Sequence, residues 1–226
     1  MATNNLATLK ALQEKHPSAP SAPADRRTPS DPASSDRFKP QQVDTSEITK
    51  ALQTFPAGSL GGPDGITPQH PKDLLSDKRD ISLLESLTDF VNGLLRGSIS
   101  QDVDPIIFGG RLFSLQKKDG GVRPVAVGNT WRRLAAKCAN RIVVEKTSAL
   151  MAPNRVGVGT LGGAEAAIHA TRRFAQQLPT DHVLIKLDFS NAFNTLRRDT
   201  MLEAVAEYIP EIYAFVYANY HDISQL

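Results

Sequence analysis

Three groups of residues have the types and spacing to do chemistry. Val183, Ile185 and Leu187 alternate with Leu184 and Lys186, the period of a mostly buried strand, and Asp188 comes next, where that strand would leave its sheet. A carboxylate at such an edge suits Mg²⁺, which takes hard oxygen ligands and commonly binds one or two carboxylates beside phosphate oxygens. Asp in the same place also serves as a plain turn or cap residue. Lys117, Lys118 and Arg123 gather around Asp119-Gly120-Gly121, a hairpin-type turn between two strand-like runs, Arg111–Lys118 and Val122–Val127. Lys and Arg there suit phosphate, Arg through paired N–H donors, although charges at a hairpin tip also simply stay solvated. On a helix expected from Thr130 to about Leu150, Arg133, Lys137 and Arg141 recur four residues apart beside an apolar ridge of Leu134, Cys138 and Ile142. Like charges at that spacing weaken a helix slightly, so a phosphate-rich partner would give the stripe a use. A solvated face balanced by Glu145 accounts for it equally well.

The elements that must position these groups emerge from composition and pattern. The 226-residue chain is 40% hydrophobic and 22% charged with a net charge of +2, so any case for nucleic acid rests on local clustering of Lys and Arg. One cysteine, Cys138, excludes an internal disulfide, and the scattered histidines lack zinc-ligand spacing. No apolar run approaches a membrane span and the polar N-terminus has no signal-peptide core, which places the chain inside the cell. Residues 1–42 read as a leader: a short helix with Leu6, Leu9 and Leu12 at helical spacing, then a disordered Pro/Ser/Ala-rich stretch from His16 to Pro40. Folded structure is expected from Val43. Asp44-Thr-Ser-Glu47 is a capping signal for a helix with the face Ile48, Leu52 and Phe55. The turn-rich loop Gly58–Ile66 comes next, then Thr67-Pro68 opening a short helix to Leu75 and a longer helix from Ile81 to Leu95. Asn154–Gly163 is a Gly-rich loop entering a helix over Ala164–Leu178. Its Gly157, Gly159 and Gly162 have G-x-G-x-x-G spacing, but no strand precedes them, so it reads as a close-packing loop. Thr200-Met-Leu-Glu203 offers another capping box, and a helix opening at Pro210 carries Tyr213, Tyr217 and Tyr220.

Taken in chain order, several of these motifs resemble the reverse transcriptase domain of non-LTR (LINE-like) retrotransposons. Leu187-Asp-Phe-Ser-Asn-Ala-Phe193 resembles the palm motif that supplies the first metal-binding aspartate, and Lys117-Lys-Asp-Gly-Gly-Val-Arg-Pro124 the fingers hairpin that contacts the incoming triphosphate. Gly62-Pro-Asp-Gly-Ile66, Gly128–Ala135 and Val156–Gly159 with Gly162–Ala166 are similar to further segments of fingers and palm. The resemblance implies an α+β fold, a partial right-hand polymerase that is helix-rich with a β-hairpin and a palm strand. Residues 43–180 would be a fingers-like region and residues 181–226 the first part of the palm. It implies RNA-directed DNA polymerase chemistry, with Mg²⁺ as cofactor and RNA template, DNA primer and dNTPs as partners. Asp188 and the backbone carbonyl of Phe189 would hold the metal. Lys117 or Lys118, with Arg123, would meet the β- and γ-phosphates, and Phe193 would be a steric gate against a ribose 2′-OH. Arg133, Lys137 and Arg141 would then track a template backbone.

Two-metal catalysis holds its ions roughly 3.5–4 Å apart and needs more carboxylate than Asp188. The family's Asp-Asp hairpin, the rest of the palm and the thumb have no counterpart after Asp188, where the acids are Asp199, Glu203, Glu207, Glu211 and Asp222. The expectation is therefore a chain inactive by itself. A non-catalytic nucleic-acid-binding remnant, or a partial gene product, is the alternative.

Overall fold

A computed structural model of the chain describes residues 5–16, 29–76, 81–100, 102–189, 191–192 and 194–221. The core is a stack of helices. Helix α2 (Thr45–Gln53) begins with the expected capping box: the Asp44 carboxylate accepts the Glu47 N–H at 2.8 Å, and the Glu47 carboxylate accepts the Asp44 N–H at 2.9 Å. Its face of Ile48, Leu52 and Phe55 is buried against Val91, Leu94 and Leu95 of helix α4 (Ile81–Leu95) and Leu134, Ala135 and Cys138 of helix α6 (Thr130–Met151). The short helices α3 (Gln69–Leu74) and α5 (Asp104–Phe108) connect these layers, and Phe108 joins the core. Helix α8 (Arg198–Tyr208) and helix α9 (Tyr213–Tyr220) pack on each other and close the stack through Ile212 and Phe215.

The sheet among the described residues has two antiparallel strands, β1 (Gly110–Gln116) and β2 (Val122–Gly128), joined at the expected turn. Their register pairs Leu115 with Arg123 and Ser114 with Pro124. Beyond the ladder, the Lys117 N–H donates to Gly121 O at 2.8 Å, and Gly120 takes φ +82°, a value open to a residue without Cβ.

Several expectations change, among them the Thr200–Glu203 capping box, since α8 opens two residues earlier, at Arg198. The palm strand over Val183–Leu187 does not form: residues 182–189 have no regular structure, and Val183 and Leu187 are 78% and 76% exposed. Alternation of apolar residues prepares a strand, but a strand exists through its ladder, and no described segment pairs with this one. The leader is also more structured than its composition suggests. Helix α1 (Leu6–Lys15) is present as expected, but residues 29–43, expected to be disordered up to Pro40, lie on the core as a strap. Phe38, the one large apolar side chain of the Pro/Ser/Ala-rich stretch, is buried with its ring 4.3 Å from that of Tyr213. The Tyr213 hydroxyl donates to Ser30 O at 2.6 Å, and Arg37 donates to Ala206 O. At the strap's end Asn92 accepts the Val43 N–H at 2.9 Å and donates to Val43 O at 3.0 Å.

Helix α7 (Gly163–Gln176) has a well-separated apolar face, yet beyond Gly163 its residues are exposed, Ile168 and Phe174 among them.

Candidate nucleotide and nucleic-acid interface

The hairpin presents its cations through register. In an antiparallel pair, directly opposed residues share a face and successive residues alternate. Leu115 opposes Arg123, so Lys117, two residues beyond Leu115, lies on the same face as Arg123, while Lys118 belongs to the turn. All three side chains are exposed, and among the described residues none is in an ion pair.

The base of the hairpin is fixed by contacts that sequence patterns did not reveal. Asn129, fully buried, caps α6 by accepting the Trp131 N–H at 2.8 Å and donates to the Asp64 carboxylate at 2.8 Å. Thr130, the expected cap, is instead the first residue of the helix, and its hydroxyl donates to Ile66 O. The Gly58–Ile66 loop is thereby held on the β2–α6 junction. Gly62 sits so close that a Cβ there would lie 2.6 Å from Asn129 Cα. Arg132 completes the joint: its guanidinium donates to Phe108 O at 2.6 Å, and burial pulls its pKa below the ordinary arginine value. The two loop motifs are thus one packed unit.

The basic ridge of α6 is largely committed to that unit as well. Arg133 donates to Leu60 O at 2.7 Å and lies 5.2 Å from the Phe55 ring centroid, and the Lys137 ammonium lies 4.7 Å from the same ring. Burial also lowers the Arg133 pKa. Arg141 alone of the three is exposed. The four-residue spacing located a helix face correctly; its first two cations cover an aromatic ring from the α2 segment.

Asp188 and Phe189 are exposed, and Phe193 lies outside the described residues. Among the described residues no group of three or more His, Cys, Asp or Glu side chains is placed to hold a metal ion. Asp188 offers one carboxylate and Phe189 one carbonyl, which do not make a protein-only Mg²⁺ cage. The turn after Asp188 is built by Asn191, at φ 54°, whose carbonyl accepts the Asn194 and Thr195 N–H groups. Its side chain and that of Asn194 both donate to Lys15 O at 2.9 Å. No sequence signal linked these amides to the leader.

The chain is 28% identical over 166 residues to the retrotransposable element SLACS 132 kDa protein of Trypanosoma brucei gambiense. The aligned region covers 72% of this chain and 13% of that protein. The likeness supports a retrotransposon-related origin. No family model matches the chain, and no solved structure matches it. Among the described residues no helix is long and apolar enough to cross a membrane.

Proposed function

We propose that this chain is the fingers and first palm segment of a retrotransposon reverse transcriptase, an RNA-directed DNA polymerase, and that its hairpin receives the triphosphate of a deoxynucleotide. The observation that carries the reading is the register of β1 and β2. Lys117 and Arg123 share a face as exposed cations, without ionic partners among the described residues, on a hairpin whose base is locked by Gly62, Asn129 and Arg132. Rigid placement of charge is what phosphate recognition needs, because little ordering entropy is then lost on binding. Lys118, in the turn, contributes less. Asp188 would add a carboxylate to a nucleotide-borne Mg²⁺. Primer and template RNA would lie along the same side, with Arg141 as the freest cation of the α6 ridge.

The test is binding of Mg²⁺–dATP to the whole chain, measured by calorimetry. A charge-assisted phosphate contact contributes about 1.5–3 kcal/mol, so Lys117→Ala and Arg123→Ala should each weaken binding by roughly tenfold or more. Lys118→Ala should have a smaller effect. Folded protein that fails to bind Mg²⁺–dATP, or binds it equally well in both variants, would overturn the reading.

A further inference from the structure

We infer that helix α1 is a clamp that sets where Asp188 stands relative to the hairpin, with Asn191 and Asn194 as its positioning residues. The functional consequence rests on the nucleotide reading above; the clamp itself does not. Helix α1 is capped by Asn5, which accepts the Thr8 N–H at 2.9 Å, and it packs against β2. Its half-buried residues Thr8, Ala11, Leu12 and Lys15 have helical spacing, whereas Leu6 and Leu9 remain exposed. Of the leader's apolar pattern, Leu12 lies on the docked face while Leu6 and Leu9 do not.

The C-terminal carbonyls of any helix lack intrahelical donors and carry the negative end of the dipole. In α1 the Lys15 carbonyl accepts two side-chain N–H groups, from Asn191 and Asn194. These amides are aimed by their own turn: Asn194 Nδ2 also lies 3.1 Å from Asn191 Oδ1, and Asn191 holds a left-handed backbone that Asn tolerates better than most residues. Among the described residues, the hydrogen bonds that leave segment 183–196 are these two, and both end on Lys15. Asp188 lies three residues before Asn191 in the chain. One side of α1 thus lies on the strand that carries Arg123 and its end grips the turn beside Asp188, so it couples the cationic and the acidic halves of the proposed site.

Two variants isolate the clamp. Asn191→Gly removes one amide while keeping a residue at ease with φ 54°, and Asn194→Ala removes the other. Spin labels at Lys10→Cys and Lys186→Cys report the distance between α1 and the Asp188 segment, since Cys138 is buried and escapes labelling. The unmodified turn should give one narrow distance distribution, and the double variant a broad one. Amide exchange over 188–195 should quicken by about fivefold for each bond lost. The melting of the α2–α4–α6 core should not move, and Mg²⁺–dATP affinity should fall. If the double variant keeps the narrow distribution and the slow exchange, the clamp is wrong. Should Mg²⁺–dATP bind more tightly once the amides are gone, α1 is a cover and not a clamp, which equally overturns the inference. If distances broaden while the parent chain binds no Mg²⁺–dATP, the clamp stands and the nucleotide reading falls.

Discussion

Replacing Gly62 with Ala tests whether the Gly58–Ile66 loop and the β2–α6 junction are one packed unit. A Cβ on Gly62 would sit 2.6 Å from Asn129 Cα, 2.7 Å from Asn129 N and 2.9 Å from the Gly128 carbonyl carbon. All three are backbone atoms at the β2–α6 junction, so no side chain can swing aside, and the loop must retreat by roughly an ångström to restore ordinary contact. That displacement stretches the Asn129–Asp64 bond, 2.8 Å long, and the Thr130–Ile66 bond. Overpacking costs about 1–3 kcal/mol, and each bond contributes about 1 kcal/mol. The loss in stability should therefore be on the order of 3 kcal/mol. For a chain of this size that lowers Tm by roughly 6–12 °C, read by circular dichroism with urea unfolding as the isothermal check. Gly93→Ala is the matched control: inside α4 its Cβ would meet nothing nearer than Arg96 Nη2 at 4.0 Å, and it should gain about 0.5–1 kcal/mol. A Gly62→Ala protein within about 0.5 kcal/mol of the parent would refute the packed unit, because normal unfolding cannot coexist with that clash.

Other parts of the molecule yield further expectations. Asn92→Ala leaves the Val43 N–H and C=O buried without partners and should cost about 2–3 kcal/mol in urea unfolding; a negligible loss would mean that Asn92 does not anchor the strap. Phe38→Ala should cost about 3 kcal/mol and open residues 29–43 to limited proteolysis while α2, α4 and α6 stay resistant. Burial pushes the Cys138 thiol up from 9.0 to about 11, so it should resist alkylation at pH 8.5 until the protein unfolds. Its folded pKa exceeds its unfolded one, so the stability it contributes is complete below pH 9 and is lost as pH rises through 11. Tyr213, pushed up to about 12 chiefly by burial, extends the loss upward. Urea midpoints should thus fall between pH 9 and 11, and a flat profile would contradict the burial of both groups.

The features legible in the sequence were those that short stretches decide for themselves. The Asp44–Glu47 capping box, the bounds of α4 and the Asp119–Gly121 hairpin all depend on residues a few positions apart, and all are present. Misreadings begin where a distant residue intervenes. Thr130 looks like a cap until the Ile66 carbonyl takes its hydroxyl, and Asn129 then does the capping. Arg133 and Lys137 look like a free stripe until Phe55 from another part of the chain comes beneath them. The leader looks too polar to fold because composition measures chain entropy and not the site on Tyr213 that receives one Phe38 ring. Cations were easy to find, but which of them were already occupied was not.

The same distinction divides the candidate site. The hairpin closes its own ladder through a three-residue turn, so the relation of Lys117 to Arg123 is set within fewer than ten residues of chain. Val183–Leu187 carries the composition of a buried strand, but pairing would have to come from elsewhere, and without it the segment stays irregular with its apolar side chains in solvent. The Asn191–Asn194 turn that follows Asp188 is tied to Lys15 O, whereas the apolar run on its N-terminal side pairs with no described segment. A sequence motif that joins an apolar run to an aspartate names the residue without fixing its position. The cationic half has geometry of its own, whereas the turn that follows Asp188 is tied to a helix 176 residues away. Substitutions in the leader should accordingly disturb Asp188 and leave Lys117 and Arg123 in register.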